Sequence, residues 1–289
     1  MQLNSALVPP PRALLFDVFG TCVNWRKSVT ESLVTECNRA LENPSKLIPP
    51  VARSGAGKKD WADFAQRWRN TYITFVASIA KDPTIPWKTI DEHHHDSLKE
   101  LLDEAGLVDL WTPEEVRDLS LVWHRLEPWN DSADGIGELS KVASTCTLSN
   151  GNLSLLRDLK AFGDLPFTHL FSAEQFNSYK PSPRVYLGAV GKLGLEPRDC
   201  AMVAAHLGDL KAAKACGLRA IYVERPGEEG WNQEMIAQAK QDGWVDLWVP
   251  LVEKGGDGKD VSLDGFLTVA TRLGIEIEKK GKDGANASL

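Results

Sequence analysis

Residues 14–21, LLFDVFGT, decide how this chain reads. Three apolar residues run into one aspartate, Asp17, and two places later Phe19 stands where a second carboxylate would sit if the segment worked with a pair of acids. A short apolar run of this kind marks a strand buried on both faces, so Asp17 is expected at the strand's carboxyl end. Its partners have to come from elsewhere in the chain.

Downstream of residue 139 the runs VASTCTL (142–148), HLF (169–171), AMVAA (201–205), AIYV (220–223) and VDLWV (245–249) alternate with helical patterns near 152–162, 182–193, 209–216, 232–241 and 262–273. Such alternation predicts βαβ units around a parallel sheet, an α/β fold. Gly163, Gly194 and Gly217 follow three of those helices, and each is expected to supply a left-handed stop. Residues 26–127 read differently. Val29, Leu33, Cys37 and Leu41 recur at helical spacing and no strand pattern intervenes, which predicts an all-helical block spliced in after the first strand. The expected layout is a core from residues 1–24 plus 128–275, a helical insertion at 25–127, and a disordered tail at 276–289. Within the insertion, the Pro, Gly, Ser and Lys-rich stretch 43–60 predicts a mobile loop.

The chain has 289 residues, 43% hydrophobic and 25% charged, as in ordinary globular proteins. No apolar run approaches the ~20 residues of a membrane span. The start, MQLNSALVPPPR, has no basic stretch leading into an apolar one, so the cytoplasm is the expected location. A net charge of −7 without clustered Lys and Arg argues against a nucleic-acid partner. Five cysteines, at 22, 37, 146, 200 and 216, lack CxxC spacing and read as small core residues.

In open parallel sheets the active site lies beyond the carboxyl ends of the strands. Collecting residues there brings together Asp17, Ser149 and Asn150, Lys180, and His206 with Asp209. LLFDVFGT, TLSNGN, YKPSPRVY and VAAHLGDLKAAKACG resemble the four ordered motifs of the haloacid dehalogenase superfamily. FDVFGTCVNWR, WADFAQRWRNTY and VWHRLEPW, taken with SNGN, resemble its type II 2-haloacid dehalogenases. The resemblance covers most of residues 13–225. It implies a Rossmann-like parallel sheet core with an inserted helical cap domain, no cofactor or metal, a small halogenated carboxylic acid as substrate and a homodimer. The implied activity is metal-independent hydrolytic dehalogenation through an aspartyl ester, giving a 2-hydroxy acid and halide.

The resemblance also implies roles residue by residue. Asp17 would be the nucleophile, kept ionised by Lys180. Amides of the turn at Val18 and Phe19, with Thr21 and Ser149, would hold the substrate carboxylate or ester oxygens, and Asn150 and Trp25 would line the pocket. Arg69 would reach in from the cap, with Arg67 as its neighbour, and Tyr186 would help close the site. Asp209 would activate water, with His206 orienting it or sharing the proton. Many relatives carry a polar residue where Leu207 stands, which bears on how that water is held.

A magnesium-dependent phosphatase of the same superfamily is the leading alternative, with another small-molecule hydrolase of the superfamily, acting on a different C–X bond or an ester, beside it. The phosphatases use the second acid of DxD to protonate an alkoxide and a further acid to hold the ion; here those places are Phe19 and Ala205. A catalytically degenerate binding protein is the non-enzymatic alternative. His93, His94 and His95 invite a metal site, but consecutive helix positions point about 100° apart, so a solvated helix face is the expectation. Trp25 or Trp68 would form a halogen pocket, with the remaining tryptophans in the core.

Overall fold

The structure, a computed structural model, describes residues 7–82, 84–254, 260–262 and 264–277. β1 (Ala13–Phe16) is followed by α1 (Trp25–Glu42), α2 (Pro50–Gly57), α3 (Trp61–Lys81), α4 (Ile90–Glu104) and α5 (Pro113–Ser120). The chain then returns through a 3-10 turn at Leu121–His124 and α6 (Ser132–Ser140). β2 (Ser144–Ser149), α7 (Leu153–Phe162), β3 (His169–Ser172), α8 (Pro183–Leu193), β4 (Cys200–Ala204), α9 (Leu207–Ala215), β5 (Arg219–Val223), α10 (Gln233–Asp242) and β6 (Leu247–Val249) alternate as expected. A small antiparallel pair, β7 (Val252–Lys254) and β8 (Asp260–Ser262), precedes α11 (Gly265–Arg272).

The six strands β1 to β6 form one parallel sheet in the order β3-β2-β1-β4-β5-β6. β1 therefore lies inside the sheet, between β2 and β4, and all four of its residues are fully buried. Its side chains alternate: Leu14 and Phe16 join the core that includes Phe167 and Phe266, while Ala13 and Leu15 join the opposite core with Val185, Ala189 and Leu210. Burial on both faces explains why the run is apolar without alternation. Reversal of the strand order between β1 and β4 creates the crevice above Asp17.

The helical insertion is present, and α1 starts on Asn24, whose side chain accepts a hydrogen bond from the Lys27 amide. Three expectations are corrected. The 43–60 stretch contains α2, started by Pro50 in its first turn and fixed by burial of Ala52 and Ala56; tertiary burial outweighs its glycine content. Gly194 and Gly217 take positive φ values of 64° and 87°, but Gly163 does not, and Asp164 makes the left-handed turn instead at φ 47°. The histidine run is not a solvated face. His94 is 1% exposed and stacks on Trp123 at 4.4 Å, and His93 stacks on Phe75 at 4.5 Å. Burial, reinforced by the nearby Lys88 charge, holds His93 down at about 4, so it packs as a neutral aromatic ring. The expected tail lies, beyond Ile277, outside the described residues.

Four of the five cysteines are buried and Cys216 is partly so, all as free thiols. No helix among the described residues is long and apolar enough to cross a membrane.

Candidate active site

Asp17 continues the β1 ladder for one residue, its amide donating to the Val203 carbonyl at 3.0 Å, and so emerges at the sheet's carboxyl edge. The turn beyond it is tight. Gly20 adopts φ 84°, and Thr21 folds back so that its hydroxyl donates to Asp17 Oδ2 at 2.9 Å. The Ala205 amide, at the end of β4, donates to the same Thr21 oxygen at 2.9 Å, tying the first turn to the fourth strand.

Two cations complete the surroundings of Asp17. Lys180 Nζ donates to Asp17 Oδ1 at 2.8 Å and also to Asp209 Oδ2 at 2.5 Å. His206 Nδ1 lies 3.1 Å from Asp17 Oδ2. Burial alone would raise the Asp17 pKa, but the charges and hydrogen bonds of Lys180 and His206 overcome it and hold the carboxyl far below its usual range. Lys180 shows the converse: burial would lower it, yet its two carboxylate neighbours raise it, so the ammonium stays charged. Asp209 is pushed upward by burial, with Lys180 opposing and the Asp17 charge adding to the push. The Tyr186 hydroxyl donates to its other oxygen, Oδ1, at 2.5 Å.

Asn150 positions Lys180. Its side-chain oxygen accepts from the Lys180 amide at 2.7 Å, and its Nδ2 donates to the Lys180 carbonyl at 3.3 Å and to the Tyr72 hydroxyl at 3.1 Å. Ser149 is buried at the end of β2, where its hydroxyl accepts from the Gly151 amide at 3.2 Å.

A cavity of about 700 Å³ opens over Asp17 between the sheet edge and α3. Lys180, Asp209, Tyr186, His206, Asn150, Trp25 and Arg69 all reach its wall. Val18, Phe19, Thr21 and Ser149 are buried just behind it. The Arg69 guanidinium carbon is 4.5 Å from the Tyr72 ring centre and 5.6 Å from those of Phe19 and Trp25, an aromatic cradle that aims its charge into the cavity. Arg67, two residues earlier, points elsewhere and pairs with Glu104 at 2.6 Å. Trp68 is also off the wall, donating from Nε1 to the His94 carbonyl and the Ser97 hydroxyl at 3.1 Å each. The Leu207 side chain is fully buried in the core that includes Leu210 and Val185 and is not on the cavity wall, whereas its neighbour His206 is.

Sequence reasoning did not single out the loop after β5. Glu228 lies on the cavity wall, its Oε2 3.5 Å from His206 Nε2, and accepts a 3.0 Å hydrogen bond from Trp25 Nε1. Glu229 accepts from the Leu207 amide at 2.9 Å, satisfying the first turn of α9. Arg225 is wholly buried; it donates to the Thr21 carbonyl at 3.0 Å and to both oxygens of Asp131 at 2.8 and 3.1 Å. The signal was available: the strand-end rule that yields Lys180 and Asp209 applies equally to ERPGEEG after AIYV.

The family profile of haloacid dehalogenase-like hydrolases matches residues 11–217. An (S)-2-haloacid dehalogenase from Pseudomonas sp. (strain CBS-3) is 30% identical over 219 residues, which are 75% of this chain and 86% of that one. The crystal structure of a defluorinating L-2-haloacid dehalogenase, 28% identical, covers 94% of this chain and 98% of its own with a TM-score of 0.75. A second L-2-haloacid dehalogenase structure, 33% identical, covers 91% and 99% with a TM-score of 0.71. With the match spanning both the sheet and the helices inserted after β1, the chain belongs to the haloacid dehalogenase-like hydrolases, in their L-2-haloacid dehalogenase branch.

Proposed function

We propose that this protein hydrolyses the carbon–halide bond of small 2-haloalkanoic acids, without a metal, through an ester on Asp17. The observation that carries this reading is the setting of Asp17: an ionised carboxylate braced by Lys180, Thr21 and His206, facing a cavity with Arg69 on its wall.

Asp17 Oδ2 already accepts from Thr21 and His206, whereas Oδ1 accepts from Lys180 alone, so Oδ1 has the freer lone pairs and acts as the nucleophile. It attacks C2 from the side opposite the halogen, the C–X electron pair departs with the halide, and the centre inverts. Arg69 receives the substrate carboxylate or the leaving halide, for which a planar, permanently charged group is suited. The turn at Val18 and Phe19, with Ser149, backs the substrate pocket from just behind its wall, and residues 25–127 serve as the cap that covers it.

In the second step water adds to the Asp17 carboxyl carbon and its proton passes to Asp209. Raised proton affinity makes Asp209 a better base than an exposed carboxylate. Oδ2 takes the negative charge within the Thr21 and His206 donors. Collapse breaks the bond from the carboxyl carbon to Oδ1; Oδ1 leaves as the hydroxyl of the 2-hydroxy acid and takes the proton back from Asp209. Asp17 keeps one oxygen from water and, being held acidic, returns its proton to solvent.

The phosphatase alternative requires a carboxylic acid at Phe19 and an acidic metal ligand at Ala205, and both are buried apolar groups here. Two cations already occupy the carboxylate edges of Asp17 where a divalent ion would bind, and they would repel it. A single turnover with excess enzyme, 2-chloropropionate and ¹⁸O water, with EDTA present, tests the reading. Halide is expected with label in the Asp17 peptide; label only in the product, or loss of halide release with EDTA, overturns it. Asp17→Asn is expected to lower halide release by ~10³-fold or more.

A further inference from the structure

Both ring nitrogens of His206 face carboxylates: Nδ1 is 3.1 Å from Asp17 Oδ2 and Nε2 is 3.5 Å from Glu228 Oε2. A neutral imidazole has one N–H and can donate to only one of them, whereas the imidazolium donates to both. Glu228 is fixed in place from three sides. Its side chain is 4% exposed, Trp25 Nε1 donates to Oε2 at 3.0 Å, and the carboxylate lies so close over Gly20 that a Cβ there would come within 2.0 Å of Oε2. Its backbone amide donates to the Arg225 carbonyl at 3.3 Å, and Arg225 is itself anchored to Asp131 and Thr21. The row Trp25, Glu228, His206, Asp17 thus joins α1 to the nucleophile across the top of the sheet.

In the resting enzyme His206 has two counterions. Once Asp17 becomes an ester its charge disappears, and of the two carboxylates flanking His206 only Glu228 remains. We propose that Glu228 is a positioning residue for the hydrolytic step: it keeps His206 doubly protonated after Asp17 is esterified, so that Nδ1–H stays on Asp17 Oδ2 as that oxygen becomes the oxyanion. His206 then acts as a donor, and water activation falls to Asp209. This rests on the ester reading above. The other charged groups lining the same cavity are Lys180, Asp209, Arg26, Arg69 and Glu229. Of the carboxylates, Asp209 is engaged with Lys180 and Tyr186, and Glu229 accepts from the Leu207 and Trp231 amides, so neither takes the place of Glu228. Lys180, Arg26 and Arg69 are cations, and the Arg69 charge also favours ionised Glu228.

The balance agrees with the direction of proton affinity. Burial would lower the His206 pKa from its ordinary 6.5, but the hydrogen bonds and charges of Asp17 and Glu228 raise it to about 9. Glu228 is moved the other way: burial would raise it, and His206 brings it below its usual value.

The test compares wild type with Glu228→Gln, which retains an oxygen to accept from Trp25 but lacks the charge, and with Glu228→Asp, which restores the charge on a shorter arm. The rate of 2-chloropropionate turnover is measured from neutral to alkaline pH, with the stoichiometric halide burst recorded separately. In wild type the steady rate falls on the alkaline side as His206 loses its proton. Glu228→Gln is expected to move that fall down by about 1 pH unit or more, to lower neutral-pH turnover ~10 to 100-fold, and to keep the burst while esterified Asp17 accumulates in the mass spectrum. Glu228→Asp is expected to move the fall back toward wild type. An unmoved alkaline fall, or turnover that rises as His206 deprotonates, overturns the proposal. A nitrogen-resolved NMR titration of His206 in the substrate-free proteins separates this from the function itself. There Glu228→Gln should lower the His206 midpoint whether or not any halide is released, and an unchanged midpoint rejects the pairing. Absence of halide from wild type would instead reject the ester reading.

Discussion

Asp17 draws its partners from three stretches of chain, and at the scale of single residues the most sensitive groups of the site are those with one permitted geometry. Arg69 rests on three aromatic rings and makes no ion pair with a carboxylate among the described residues. Its charge is therefore available to an anion. Arg69→Ala should raise KM for 2-haloacids ~10 to 100-fold, the loss of one charge-assisted hydrogen bond, while melting changes little. Arg69→Lys should recover only part, because a point charge on a flexible stem neither stacks nor forks. Gly20 is constrained twice, by φ 84° and by the Glu228 carboxylate above it. Gly20→Ala should cost ~1–2 kcal/mol or more from backbone strain alone, read by urea denaturation, and should lower turnover beyond that by displacing Glu228.

Among the elements, His124 makes one of several contacts that tie the inserted helices to the sheet domain. Its Nε2 faces Asp91 Oδ1 on α4 at 3.0 Å, and its Nδ1 faces Asp158 Oδ2 on α7 at 2.8 Å. Asn152, just ahead of α7, also donates to Asp91. Burial would lower the His124 pKa, but the hydrogen bonds to the two acids raise it above the ordinary 6.5. A histidine whose folded pKa exceeds its unfolded one contributes stability that is complete below the unfolded value and lost as pH rises through the folded one. His124→Asn should therefore cost about 1 kcal/mol at mildly acidic pH, and the difference from wild type should shrink above neutrality, measured by urea midpoints at both. The elements themselves were largely legible. β1, β2 and β4 announce themselves as local apolar runs, and α8 and α9 by period and by Gly194 and Gly217. What escaped is what depends on distant packing: α2, which composition reads as loop, and His93 and His94, whose polarity hides their use as flat rings in the insertion's core.

For the molecule as a whole, one buried ion pair links the nucleophile turn to the far end of the chain. Arg225 and Asp131 are 0% and 1% exposed at the side chain; Arg225 also holds the Thr21 carbonyl, and Asp131 accepts the Phe266 amide at 2.7 Å at the start of α11. Arg225→Met should cost ~3–5 kcal/mol by leaving Asp131 charged and uncompensated, and adding Asp131→Leu should recover part of it, both by equilibrium denaturation. This pair, like Glu228, was illegible in the sequence for a physical reason. Asp131 is 94 residues from Arg225, and Trp25 is 203 from Glu228, so no local period or motif marks them as partners. Asp17 and Asp209 were legible because β1 and β4, which lead into them, identify themselves, and Lys180 because it stands in YKPSPRVY.

The central place of β1 has a consequence for synthesis. Its two neighbours in the sheet start at Ser144 and Cys200, so when Ala13–Phe16 leaves the ribosome neither yet exists. At ~5–20 residues per second the strand waits on the order of ten seconds for its first partner, with both edges unsatisfied. An apolar strand in that position is a template for pairing with other chains. This one is four residues long, preceded by Pro9, Pro10, Pro11 and Arg12 and closed by Asp17. Prolines lacking amide donors on one side and a charge on each restrict what can add to it. The carboxylate at the centre of the site thus also sets a charge at the end of the one strand that waits longest for its neighbours.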